Sequence, residues 1–215
     1  MNVFIRRALT ILSLGLLILS PLSVANAATD RVTVENLRGP LINAFFSSLD
    51  PSGCIETDTF VTANRPTDQL LPGRGTTTGI GAVSIFEYNS CTDTSVLQAV
   101  GQTDTLAAAD FQVSRQLDWA SLHTTITVTN IDTGDDFDVS VNIALVGTGD
   151  IHRDHDNTND RYGGGCHVLN RWKGAGRDAD ASGSVSDGVT NFTPTTSQWG
   201  EIGVVIDGFE VIDCP

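Results

Sequence analysis

The sequence predicts an all-β protein: an antiparallel β-sandwich of about ten strands, with a β-barrel as the alternative, braced by two disulfides. Three observations predict it. Apolar side chains recur at every second residue between turns rich in Gly, Asp, Asn and Pro, the period of a strand with one face on a core and one in water. Thr and Val, which favour strands, are abundant, and no run of ten or more residues keeps a helical period. All four cysteines fall after a segment that reads as an export leader, and an even count in an exported chain points to disulfides.

The leader comes first in the chain. Arg6 and Arg7 give a positive start, Ala8 to Leu19 is almost wholly apolar, Pro21 ends the run, and Ala25-Asn26-Ala27 offers small residues for cleavage. That is the layout of a secretory signal over residues 1–27, leaving 28–215 as a single domain. The apolar run is about a dozen residues, short of the roughly 20 that span a bilayer. No later stretch is long enough either, so the mature chain is expected outside the cytoplasm with no membrane insertion.

The clearest strand pair lies mid-chain. Leu122, Thr124, Ile126 and Val128 alternate with polar residues, Asp132-Thr133-Gly134-Asp135 forms a loop, and Phe137, Val139, Val141, Ile143 and Leu145 resume the alternation. A second hairpin is expected at the C-terminus, where Ile202–Ile206 and Phe209–Ile212 flank Asp207-Gly208, the composition of a type I′ turn. Further strands are expected at 31–36, 44–49, 54–63, 79–89, 96–102, 111–119, 179–186 and 198–206. Trp119 ends the run Phe111, Val113, Leu117 and is expected in the core. Leu41–Phe46 and Leu106–Asp110 are the best short helical candidates, and both fit strand or turn equally well. Two long polar stretches, 65–78 and 148–165, read as loops. The cysteines are expected to pair as Cys54–Cys91, joining two strand ends, and Cys166–Cys214, pinning the C-terminus.

Charge narrows the function classes. The net charge is −14, becoming −16 once Arg6 and Arg7 leave with the signal, and 21 of the 26 acidic residues are Asp. Such a field repels nucleic acid and anionic membranes and favours cations. Much of the Asp excess suits turns, where the short carboxylate accepts nearby backbone N–H groups.

Two groups of residues could carry chemistry. The first is the stretch Asp150, His152, Asp154, Asp156 and Asp160, followed by His167. Asp154, Asp156, Thr158 and Asp160 sit at alternate positions, as oxygens do in a Ca²⁺ loop. Asn159 stands where an EF-hand needs Gly and Gly165 where it needs the bidentate acid, so only a looser Ca²⁺ site fits. His152, His155 and His167 with an Asp allow a zinc reading, and a hydrated loop is the bland one. The second group is Tyr162, Trp172 and Trp199, aromatic rings beside Gly-rich polar stretches that could stack on sugars; the alternative is that they cover the core. Motifs for a serine nucleophile, a zinc protease and a phosphate-binding loop are absent.

Asp50-Pro-Ser-Gly-Cys54-Ile, Cys91-Thr-Asp-Thr and Arg177-Asp-Ala-Asp-Ala-Ser-Gly-Ser-Val-Ser-Asp-Gly-Val-Thr-Asn-Phe-Thr-Pro194 resemble segments of an uncharacterised group of exported bacterial β-domain proteins. The resemblance implies a secreted β domain and no particular activity. The leading expectation is a secreted non-catalytic module that binds carbohydrate or a surface protein. The alternatives are a metal-dependent or carboxylate hydrolase using residues 150–167, and a structural envelope component.

Overall fold

The computed structural model describes residues 31–36, 39–65, 79–161, 167–193 and 197–214. Among the described residues eleven strands form in chain order: β1 (Arg31–Asn36), β2 (Gly39–Leu49), β3 (Ile55–Asn64), β4 (Gly79–Asn89), β5 (Thr94–Leu106), β6 (Phe111–Val113), β7 (Trp119–Asn130), β8 (Asp136–Gly147), β9 (His152–Arg161), β10 (His167–Ser186) and β11 (Ser197–Cys214). They make one antiparallel sheet in the order β1-β11-β2-β3-β4-β5-β7-β8-β10-β9, with β6 on β7. The all-β antiparallel fold expected from the alternation is the fold that forms. Among the described residues no helix is long and apolar enough to cross a membrane.

The sheet returns on itself because β10 pairs with β8 through one segment and with β11 through another. The return is uneven. Most neighbours share long ladders, whereas β5 and β7 meet only at Ala99–Asn130, Val100–Thr129 and Gly101–Val128. Two faces folded over one core, with a thin seam, describe this better than an evenly laddered barrel. Ile42, Val61, Ile85, Leu122, Ile143 and Ile202 represent that core, a single cluster fed by every strand from β2 to β8 and by β10 and β11.

The central hairpin follows its sequence pattern. Leu122, Ile126 and Val128 on β7 and Val139, Val141, Ile143 and Leu145 on β8 are buried, and their outward neighbours pair across the strands. Thr127 donates to Asp138 and Thr129 to Asp136, each at 2.6 Å. The connecting loop turns at Gly134, whose φ of 77° is open to glycine without steric cost. The expected Cys54–Cys91 disulfide joins the β2–β3 and β4–β5 turns, with Cα atoms 5.3 Å apart. Cys166 and the side chain of Cys214 lie outside the described residues.

Three expectations are corrected. The C-terminal hairpin does not form: β11 runs straight through Asp207-Gly208, which pair with Lys173 and Trp172 of β10. The 20-residue β10 supplies partners along that whole length, so the backbone has no need to turn back on itself. Ile206 is left over at a register shift beside Lys173 and Gly174, a bulge that absorbs the mismatch. The polar stretch 148–165 is not all loop, since residues 152–161 form β9 on the free side of β10. An edge position tolerates so many charges, and charges there discourage edge-to-edge association. The two short segments left open between helix, strand and turn take the latter two: Leu41–Phe46 is strand within β2, and Leu106–Asp110 is a strand end and a turn. Trp119 is 44% exposed, because Leu117 adopts a left-handed φ of 56° and is itself buried. That residue breaks the two-residue phase after Phe111, so Ala120 faces inward and Trp119 outward.

Candidate functional site

The outer face of β11, β2, β3 and β4 collects aromatic and polar side chains in register. On β2 the even residues Ile42, Ala44 and Phe46 fill the core, so Leu41, Asn43 and Phe45 face away from it. Trp199 of β11 stands opposite Phe45, and Phe45 opposite Phe60 of β3. The Phe45 and Phe60 rings are 4.6 Å apart between centroids, and Phe60 meets Phe86 of β4 edge-on at 6.4 Å. Phe86 and Tyr88 are 37% and 41% exposed. A row of rings thus crosses four strands at the solvent side of the sheet.

A polar row lies one step along the same strands. Asp178 of β10 pairs with Glu201 of β11, and Glu201 with Asn43 of β2. His152 of β9 reaches over this row. Its Nε2 lies 3.4 Å from Glu201 Oε1 and 3.4 Å from Asp154 Oδ2. The reach exists because position 176 has no side chain: a Cβ there would stand 2.5 Å from Glu201 Oε1 and 2.6 Å from His152 Nε2. Gly176 is therefore the floor on which the imidazole and the carboxyl meet.

Glu201 is the most constrained acid of the face. Burial pushes its carboxyl above the ordinary value, and the charge of Asp178 adds to the rise. His152 and the side-chain amide of Asn43 counteract it through charge and hydrogen bonds. A carboxyl so placed is desolvated yet keeps partners that hold its orientation.

Of the residues singled out in the sequence, His152 and Asp154 meet, and they do not gather the others into one site. Among the described residues no three His, Cys, Asp or Glu side chains come together as a metal site, and the extended backbone of β9 explains why. Asp154 and Asp160 are six residues apart along a strand, about 20 Å, whereas Ca²⁺ ligands lie about 2.5 Å from one ion. The zinc reading meets the same obstacle. His152 and His155 are three residues apart and fall on opposite faces of β9. His152 pairs with Gly176 and His167 with Arg161, which places the latter two histidines nine residues apart along β10, roughly 30 Å. Asp150 is exposed ahead of β9. The side chains of Asp156, Asp160 and His167 lie outside the described residues.

Of the three aromatic candidates, Trp199 joins the row of rings. Trp172 occupies β10 opposite Asp156 and Gly208, and its side chain lies outside the described residues, as does Tyr162 entirely. Glu201, Asn43, Phe45 and Phe60 were not singled out in the sequence. Glu201 carried a weak signal as the one acid in the Gln198–Ile206 strand, two residues from Trp199. Asn43 and Phe45 carried none, because the partners that matter to them, Glu201 and Trp199, lie more than 150 residues away on β11. No family model, curated protein or solved structure matches the chain.

Proposed function

We propose that this protein is an extracytoplasmic, non-catalytic β module that binds carbohydrate through the outer face of β11, β2, β3 and β4. One observation carries the reading: the Trp199–Phe45–Phe60–Phe86 row runs beside Glu201, Asn43 and His152 on a single side of the sheet. Sugar rings present C–H faces that stack on aromatic surface, and hydroxyls that need fixed planar acceptors and donors. The row supplies the first, and a carboxyl, an amide and an imidazole held by one another supply the second. The rigid sheet holds both in place with little ordering required on binding. The Cys54–Cys91 disulfide fits an oxidising location, in keeping with the leader-like residues 1–27.

Glycan-array binding followed by calorimetry tests the reading. Wild-type protein is expected to retain a subset of glycans. Trp199→Ala and Phe86→Ala should each lose most of that binding while melting within a few degrees of wild type. Unchanged binding in both variants overturns this surface as the site.

A hydrolase is the second reading, favoured by the His152 imidazole between two carboxyls, one of them raised by burial. Its mark is release of reducing ends from a bound oligosaccharide, lost in Glu201→Gln. Binding without product release leaves the module alone.

A further inference from the structure

We infer that the preferred ligand of this face is a glycan bearing free, protonated amines, such as a glucosamine oligomer, selected over neutral and acidic glycans. The inference rests on the carbohydrate reading above and adds the charge of the ligand. Its basis is the distribution of charge around the aromatic row. Glu56 and Asp58 share the outward positions of β3 with Phe60. Asp178 and Asp180 are exposed at the outward positions of β10, Glu201 lies two residues from Trp199, and Asp154 stands beside His152. Among the described residues of this face there is neither Lys nor Arg. Arg153 and Arg177 occupy the alternate, opposite positions of β9 and β10, and Arg177 is engaged, donating from Nε to the Gly149 carbonyl at 3.0 Å.

The consequences follow from electrostatics. Six acidic groups around a low-dielectric aromatic strip make a local negative potential that is added to a chain already at −14. A uronate or sulfated glycan would bring like charge to that strip and be disfavoured. A protonated amine gains twice, from the carboxylates and from the negative faces of the rings. Asp58 deepens the field: one of its carboxyl oxygens is buried without a hydrogen-bond partner, on β3 directly opposite Phe86. The acids that meet His152 are Asp154 from its own strand and Glu201 from β11, and Asp178 of β10 pairs with Glu201 in turn.

The experiment compares a glucosamine hexamer, its fully N-acetylated counterpart and an oligogalacturonate by calorimetry on the full mature chain, at low and high salt. The amine form is expected to bind about tenfold tighter than the N-acetylated form, the advantage shrinking at high salt, with no binding of the acidic oligomer. Asp178→Asn, an exposed substitution that leaves the core untouched, should reduce the amine advantage severalfold, and Trp199→Ala should weaken both sugars. Equal binding of the two hexamers, lost in Trp199→Ala, overturns the charge preference and leaves the carbohydrate reading standing. An amine preference indifferent to Asp178→Asn and to Trp199→Ala overturns the assignment to this face. Binding of none of the three overturns both the preference and the carbohydrate reading.

Discussion

Replacing Gly101 with alanine should open the protein at its thinnest seam. Gly101 pairs with Val128, one of only three residue pairs joining β5 to β7. A Cβ at this position would collide with the Thr127 carbonyl oxygen and stand 2.7 Å from Val128 Cγ1 and 2.8 Å from Val128 Cα. Backbone and a β-branched side chain in its single rotamer cannot step aside, so the strands must part. Overpacking of this kind costs about 1–3 kcal/mol, and losing a ladder hydrogen bond adds about 0.5–1.5 kcal/mol. The opposing gain from a stiffer unfolded chain is smaller, about 0.4–1 kcal/mol. The net loss of about 2–3 kcal/mol corresponds to a melting temperature lower by roughly 5–10 °C for a domain of this size. Thermal melts by circular dichroism measure it. Gly176→Ala is the control, because its Cβ meets only the ends of the Glu201 and His152 side chains, which can rotate away. It should melt within a few degrees of wild type while displacing the His152–Glu201 contact. A Gly101→Ala protein that melts with wild type would refute the closure of the sheet through β5 and β7.

Four further outcomes are expected. The double variant Cys54→Ser, Cys91→Ser frees a loop of sequence separation 37, worth up to about 4 kcal/mol by chain entropy; a denaturant midpoint close to wild type would contradict a stabilising bridge. Glu201 has a raised pKa in the fold, so its ionisation opposes folding: its contribution favours the native state below the ordinary value of 4.5 and is lost as pH rises through the folded value. Glu201→Gln should therefore be more stable than wild type at neutral pH, with the gap closing below about pH 4.5, as read from melts across pH. The Asp50 carboxylate, which accepts from the Ile55 and Cys54 amides and the Ser52 hydroxyl, is held at about 2 against an ordinary 3.8. Its stabilisation is present above 3.8 and lost as pH falls through 2, so Asp50→Asn should flatten that part of the acid unfolding profile. Trp119→Ser should cost less than about 1 kcal/mol because the ring is exposed, whereas Phe111→Ala should cost about 3–5 kcal/mol because that ring is fully buried; comparable losses would contradict the corrected phase after Phe111.

The strand assignments legible in the sequence were those in which each residue answers only to water and core. The β7–β8 hairpin follows from alternation, because an apolar side chain out of phase would sit in solvent, and β1 and β4 occupy the spans that turn residues set off in the sequence. The Cys54–Cys91 bridge was legible for a related reason: each cysteine sits at the end of an expected strand, Cys54 after Asp50–Gly53 and Cys91 after the strand at 79–89. Alternation ceased to be a guide where a strand's partner decides its fate. Asp207-Gly208 has the composition of a turn, yet a long neighbouring strand satisfies its backbone and carries it straight. The Asp- and His-rich stretch has the composition of a hydrated loop, yet a free edge of β10 recruits it as β9.

Residue order alone established an acidic β protein with a leader-like start and an even set of cysteines, since period, turn chemistry and composition are local properties of the chain. Which side chains share a surface was decided by strand order. Glu201, Asn43, His152 and Trp199 come from three strands scattered along the chain, and only the pairing of β10 with β9 and of β11 with β10 and β2 brings them to one face. The same pairing that assembled this group set positions 154, 156 and 160 along one extended backbone, where the first and last stand about 20 Å apart, too far to share one ion.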